Sequence, residues 1–394
     1  MARCGAAHVR RGGAVKHLRR RAFSLRWWQP ANPAWWAWVL LTVAGLGYYG
    51  YSLFVGVLLL PLTAVTGLVV TVGLGAFWLW FIRRPQIFGR VSARAVVAAL
   101  AWGGLAATGA FALLGNSAII AIIGQGISID LAFAWGPAIA APLTEEVAKT
   151  LGVVIVVLMA RSRLRTPMEG AFLGAYVGLG FELAENFLYG FNVVFMGFGE
   201  SQVGDTLVVY LARAGIFALV SHTIFSAVAG AGIAYMWPAH GSPRMMRGAA
   251  LVLTAVAVHG LWNSPLLLGL GWRFAVAAAI PTGFYWLVKT WRRDEQRWFR
   301  ETLAPEVARG AIPQVYVDNV ARSLRMRRKH VRAVVAAYGA HAGDYQRYLD
   351  GILVDLADAV SAGDIDSAAA YRAAVMQSVG TLPHAAPYAP TPAT

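Results

Sequence analysis

Eight apolar stretches, each near the length that crosses a bilayer, confine this chain to a helical membrane architecture. A hydrocarbon core takes about 20 residues of α-helix, and only helices and closed barrels satisfy their backbone groups inside it. The stretches are 34–55, 60–82, 95–115, 131–160, 168–190, 206–237, 248–268 and 272–289, the first two forming one run divided around Pro61. Composition agrees. Of 394 residues, 58% are hydrophobic and 13% charged, against about 25% charged in soluble domains. The arginine-rich N-terminus resembles a signal peptide, but the apolar run behind it far exceeds roughly 7–15 residues, so the segment is expected to be retained. The single cysteine, Cys4, excludes an intramolecular disulfide and a cysteine-based zinc site.

The net charge of +15 suggests nucleic acid until its distribution is read. With the N-terminus inside, eight crossings leave 1–33, 83–94, 161–165, 238–247 and 289–298 in the cytoplasm, with eight, four, three, two and four Lys or Arg. The opposite loops hold only Arg273. That asymmetry is the positive-inside pattern. It places both termini in the cytoplasm and makes the lipid bilayer, not nucleic acid, the expected partner. Trp27, Trp28, Trp35, Trp36, Trp237, Trp272 and Trp291 sit near span ends, as interfacial anchors do.

The expected organisation is a basic cytoplasmic segment over 1–33, a transmembrane core over 34–289, a cytoplasmic helical domain over 290–380 and a disordered tail over 381–394. The fold class is therefore all-α, polytopic, with about eight transmembrane helices and a small cytoplasmic C-terminal domain. The cluster Arg325, Arg327, Arg328, Lys329 and Arg332 reads first as a solvated helix face, ahead of a lipid or nucleic-acid contact. Residues 116–142 are the irregular part. Their apolar run is short enough to be re-entrant, and Pro137 and Pro142 are expected to kink or break a helix. Thr144 before Glu145 and Glu146 then reads as an N-cap, starting a helix inside the membrane.

Few ionisable residues lie in the spans, and at that depth each is by default functional. Glu145, Glu146 and Lys149 fall in the fourth, Glu182 and Glu185 in the fifth, Arg213 and His222 in the sixth and His259 in the seventh. Glu145–Lys149 and His259–Asn263 are i,i+4 pairs, and Glu182–Glu185 is an i,i+3 pair, so each shares a helix face. At about 1.5 Å per residue, Glu145, Glu182, His222 and His259 lie about 18–25 Å from the cytoplasmic edge. Four helices thus bring carboxylates and imidazoles to one layer in the outer half of the bilayer.

Such a layer supports hydrolysis. A carboxylate serves as general base, and Asn263 can donate to a developing oxyanion. Alternatively, two imidazoles with a carboxylate bind a divalent metal and leave room for water. Lys149 reads as a counter-ion, Glu182 as positioning or catalytic, Asn186 as an orienting residue, and Arg213 as pairing with an acid or snorkelling. Phe181, Tyr176 and Tyr189 read as packing. The same buried groups would also suit a proton- or cation-coupled transporter, although no paired repeat marks one. A catalytically dead scaffold that binds a transmembrane helix is a third class.

Four motifs occur in order on consecutive spans: Glu145-Glu146-Val147-Ala148-Lys149 fits E-E-x-x-K, Phe181-Glu182-Leu183-Ala184-Glu185-Asn186 fits F-E-x-x-E-N, then His222 stands alone, and His259-Gly260-Leu261-Trp262-Asn263 fits H-x-x-x-N. In this the chain resembles the PrsW family of intramembrane proteases, distant relatives of the CAAX prenyl proteases and bacteriocin-processing enzymes, over about residues 35–290. The resemblance implies an endopeptidase of a bacterial cytoplasmic membrane, acting on a membrane-anchored protein such as an anti-sigma factor. It implies Glu145 and Glu146 as the catalytic pair, with Glu185, His222 and His259 completing the site. The motifs leave glutamic and metal-dependent chemistry open. The metal expectation is zinc or another divalent ion on His222, His259 and Glu185, with no organic cofactor. Where the CAAX relatives carry F-x-x-x-H, this chain has Phe181-x-x-x-Glu185, so roles do not transfer from them.

Overall fold

The computed structural model describes residues 25–381, except 87, 89, 90, 161–163, 218–220, 238–241 and 268. Most of the basic N-terminal segment, with Cys4, and the expected disordered tail beyond Thr381 lie outside the described residues. Among the described residues the chain is all-helical, with no strand and a single isolated bridge between Leu25 and Ala160. They fall into two compact units, one running to Gln86 and from Val91 to Arg292, the other holding Phe88 and the residues from Arg293 onward.

The first unit begins with α1 (Pro33–Leu59) and α2 (Pro61–Arg83), each opening on a proline at its first turn. There the missing N–H costs nothing. Both are largely inside-out by soluble standards: α1 buries Thr42, Gly45 and Gly56, with Trp35 and Leu53, but exposes Leu40, Val43, Leu46 and Leu58. Large apolar groups outward and small ones inward is the pattern of helices solvated by lipid. Four helices are long and apolar enough to cross a membrane: α1, α2, the continuous α3 (Ala93–Gly126) and the Pro243–Trp262 stretch of α8 (Ser242–Trp262). Between these come α4 (Ile129–Met159), α5 (Pro167–Met196), α6 (Gln202–Tyr210, continuing as a π-turn over Leu211–Ile216) and α7 (His222–Met236). The α4 and α5 helices have 31 and 30 residues, also long enough by length, and carry the ionisable groups. The division between the two units falls within α9 (Leu270–Ala308).

Three sequence expectations need correction. The third span does not end near 115 with a re-entrant piece after it. Instead α3 runs on to Gly126 through a π-helical segment, Trp102–Ala112, and Ser128 caps α4 directly after. The short apolar run has a partner, because Gly115 lies where an added Cβ would come 2.8 Å from Thr144. Nor does a helix start at Thr144. Both Pro137 and Pro142 lie inside α4, and Gly260 of α8 packs on the helix beside Pro142 and the Ala138 carbonyl that Pro142 leaves without its helical donor, the kind of neighbour that lets membrane helices carry proline. Glu145 and Glu146 therefore sit near mid-helix. The sixth span, in turn, is not one helix: Phe217 ends α6 at φ −103°, ψ 16°, and Ser221 is extended at φ −138°, ψ 165° before α7 begins at His222.

The second unit packs the end of α9 with α10 (Gln314–Val320), α11 (Leu324–Tyr338), α12 (Ala340–Ser361) and α13 (Ile365–Thr381). Phe299, Leu303, Leu349, Leu353, Tyr371 and Val375 form its core. Arg327 pairs with Asp350 at 3.7 Å, while Arg325, Arg328, Lys329 and Arg332 are exposed along α11. Arg372 donates twice to Glu306, at 2.6 and 2.7 Å. Those bonds hold the Glu306 carboxyl below the usual carboxylate range, so their contribution is present at neutral pH and lost as pH falls through that lowered value. Arg372→Ala, which leaves buried Glu306 only the 3.5 Å contact of Arg309, is expected to cost about 1.5–3 kcal/mol. Hydrogen exchange of the full chain would show this as faster exchange across α12 and α13, with the difference from the native chain shrinking at acid pH.

Candidate active site

The α5–α7 contact sets the position of the sixth-span histidine. Gly170, Gly174 and Gly178, four residues apart on α5, face the carbonyls of Gly230, Ser226 and His222 on α7. A Cβ at these glycines would come within 2.2, 1.9 and 2.2 Å of those oxygens. Only glycine permits backbones to approach so closely. The His222 N–H at the head of α7 then donates to Glu182 Oε2 at 3.0 Å. Glu182 also accepts from Asn186 at 3.2 Å through Oε1. The break before α7 thus leaves one of its free N–H groups on a buried carboxylate, as helix starts require. On the other side of α5, Gly103 and Gly180 bring α3 equally close, and Trp102 donates to the Ala148 carbonyl at 2.9 Å, fixing α4.

Glu145, Glu146, Lys149, Glu182, His222 and His259 are all buried. Each imidazole has one nitrogen held by a glutamate of its own. His259 Nδ1 is 2.8 Å from Glu146 Oε1, and His222 Nε2 is 2.8 Å from Glu185 Oε2. The opposite nitrogens both turn toward Glu145 Oε2, at 3.6 Å from His222 Nδ1 and 3.8 Å from His259 Nε2. Asn116 donates to Glu145 Oε1 at 3.0 Å and takes the Thr144 hydroxyl hydrogen bond on its own carbonyl. Glu145 is thereby oriented with Oε2 outside any hydrogen bond but paired with Lys149 Nζ at 3.6 Å. Lys149 Nζ lies 2.6 Å from Glu146 Oε1 and 2.7 Å from His222 Nδ1, above the Phe181 ring. Arg213 donates from Nε to Asn186 at 2.6 Å and from Nη2 to Glu185, and it lies over Tyr189. Asn263 Nδ2 is 3.1 Å from His259 Nε2, and the Phe225 ring stacks on the His259 imidazole at 5.2 Å.

A cavity of about 540 Å³ opens on these groups, lined among others by Asn116, Glu145, Glu182, Glu185, His222 and His259. Glu146 and Lys149 do not line it. One ligand atom each from Glu145, His222 and His259 lies within 4.8 Å of the other two. A tetrahedral site with bonds of about 2.1 Å has edges of about 3.4 Å, close to the 3.6 and 3.8 Å separations at Glu145 Oε2. The carboxylate oxygen without a hydrogen bond and the carboxylate on the far nitrogen of each histidine are what a ligand set needs, because outer carboxylates fix ring orientation and basicity. The residues fit a divalent ion. The acid in the cluster is Glu145, whereas the sequence expectation had Glu185, which here sits on the outer nitrogen of His222.

The structure brings every candidate together: Glu145, Glu146, Glu182, Glu185, His222, His259 and Asn263, with Lys149 and Asn186 bonding within the cluster. Sequence reasoning missed Asn116. It lies in the stretch read as re-entrant, where a polar amide in an apolar run was the available signal. It also gave no role to Phe225, which is indistinguishable in sequence from any core aromatic.

A model of the PrsW family of intramembrane metalloproteases matches residues 91–288, half of the chain. No curated protein and no solved structure matches the chain.

Proposed function

The chain belongs to the PrsW family of intramembrane metalloproteases, and on that premise we propose that it hydrolyses a peptide bond in or near the transmembrane segment of a membrane-anchored protein, an anti-sigma factor being one candidate. The observation that carries the reading is the convergence of His222 Nδ1 and His259 Nε2 on Glu145 Oε2, each ring held from behind by its own glutamate.

In this reading Glu145, His222 and His259 hold a divalent ion, zinc by ligand type. When bound, the ion lowers the pKa of water and polarises a carbonyl. Lys149 would keep its ion pair with Glu146, while His222 Nδ1 and His259 Nε2 would exchange their hydrogen bonds with Lys149 and Asn263 for the ion. Glu146 and Glu182 are positioning residues, the first for the His259 ring, the second for the head of α7. Glu185 has Oε2 occupied by Arg213 and His222. Its Oε1 takes the proton of the attacking water and returns it to the nitrogen of the scissile bond, so that the C–N bond breaks to a carboxylic acid and an amine, which part as carboxylate and ammonium once the acid proton passes to the amine. Asn263, at the cavity wall, donates to the oxyanion formed between these steps.

The chain crosses a bacterial cytoplasmic membrane eight times, α6 and α7 together making one interrupted crossing, with both termini and the helical unit after Arg293 in the cytoplasm. Two sets of contacts support the pairing of these span ends on common sides. Gln29 and Asn32 donate to the Met159 and Leu158 carbonyls, joining two ends assigned to the cytoplasm. Gln202 accepts from the Leu62 N–H, joining two assigned to the other side. With the site in the outer half of the bilayer, the cut falls on the extracytoplasmic side of the substrate segment.

Metal removal tests the chemistry. The purified full chain is expected to carry about one zinc per molecule, to lose cleavage on chelation and to regain it with added zinc. Full activity in a chain shown to be free of metal would contradict the ligand assignment.

A further inference from the structure

Arg273 stands out twice. It is the one Lys or Arg on the side of the proposed topology opposite the cytoplasm, and it lines the cavity that holds the reacting groups. The other guanidinium in that cavity, Arg213, is fully engaged by Glu185 and Asn186. Arg273 makes no ion pair among the described residues, and its buried Nε has no hydrogen-bond acceptor. Its aromatic contacts, by contrast, lie on one side. The guanidinium carbon is 5.0 Å from the Trp262 ring centre and 5.7 Å from that of Phe217, and these two rings meet edge to face at 5.3 Å. Contacts at such distances stabilise a cation by its faces. They leave the edge of the fork, with its N–H donors in one plane, as the part free to bind.

That edge matches a carboxylate in shape and charge. A cation held by aromatic rings and lacking an acid, in a cavity whose three acids are engaged by other groups, is placed for a ligand that brings its own negative charge. We propose that Arg273 is a specificity-determining residue that receives an acidic side chain of the substrate, Asp or Glu, within a few residues of the scissile bond on the extracytoplasmic side. The inference rests on the proteolytic reading above. It concerns which sequences are cut, and Arg273 takes no part in the bond-breaking itself.

The test uses the full chain, loaded with zinc, in phosphatidylcholine liposomes. The probe is a mixture of membrane-spanning Leu/Ala peptides with randomised extracytoplasmic flanks, and products are read by mass spectrometry. The native chain is expected to favour Asp or Glu in the flank. In Arg273→Gln the ratio of kcat/KM for acidic over neutral flanks falls about 30-fold or more, as when one partner of a desolvated charge pair is truncated. Arg273→Lys, which keeps charge but loses the fork, falls between, and Arg273→Glu prefers Lys or Arg flanks. The ratio is internal to each variant, so partial loss of folded protein does not mimic the effect. Equal cutting of acidic and neutral flanks by the native chain, or an acidic preference surviving in Arg273→Glu, overturns the proposal. A preference that disappears in phosphatidylglycerol liposomes makes a lipid phosphate the anion at Arg273 and overturns it too. If the native chain cuts no more than Glu145→Gln, the proteolytic reading fails and this inference falls with it.

Discussion

Glu145→Gln, His222→Ala and His259→Ala each bring cleavage to background and leave the purified chain without its ion. These three supply the converging ligand atoms. The glutamates behind the histidines behave differently. Glu146→Gln keeps the ligand set but loosens the His259 ring it holds at 2.8 Å. Metal affinity falls about 10–100-fold, the usual cost of an outer-sphere partner, and excess zinc restores turnover. Glu185→Gln is not rescued by zinc, because it removes the proton acceptor as well as the hydrogen bond to His222, and kcat falls about 10²–10⁴-fold. Zinc titrations of activity across the five variants separate the classes. Equal loss in all five, with no rescue of Glu146→Gln, would reduce the two-layer description to a single undivided cluster.

Glycine substitutions on α5 are expected to be nearly as damaging, without touching a polar group. A methyl at Gly174 would meet the Ser226 carbonyl at 1.9 Å, and one at Gly178 the His222 carbonyl at 2.2 Å. Neither obstacle is a flexible side-chain end, so α7 must move as a whole. Overpacking of this kind costs about 1–3 kcal/mol or more. Gly178→Ala moves the residue whose ring forms the site, so its activity is lost beyond its loss of stability. Gly47→Ala on α1, where an added Cβ meets nothing within 4 Å, is the matched control and unfolds like the native chain in a detergent thermal melt. A Gly174→Ala protein as stable as Gly47→Ala would contradict the close α5–α7 packing.

Much of the site was legible because membrane depth makes polar residues rare. Glu145, Glu182, His222 and His259 fell in one layer by counting residues along the spans, and the counting survives even though the sixth span is broken, since His222 lies on the continuous part, α7. What could not be read was direction. Residue spacing puts Glu145 and Glu146 on one helix but gives no sign that Glu145 faces the cavity while Glu146 faces away, supporting His259. The same limit applied to Glu185, expected as a ligand and found on the outer nitrogen of His222. The irregular backbone was misjudged for a related reason. Proline inside α4 is tolerated where a neighbouring helix packs on it, as Gly260 does beside Pro142, and α3 continues through a π-helical segment, neither of which periodicity reveals. Arg273 was visible only as an exception to the charge count, and its aromatic setting required the structure.

The central claim is that this chain cuts other membrane proteins, and the most direct measurement compares protein termini in cells carrying the native chain and cells carrying Glu145→Gln at equal abundance. Mass spectrometry of membrane and extracellular fractions is expected to find a small set of cleavages absent from the variant, next to transmembrane segments and on their extracytoplasmic side. Identical termini in the two strains, at rest and under envelope stress, would contradict the proteolytic account.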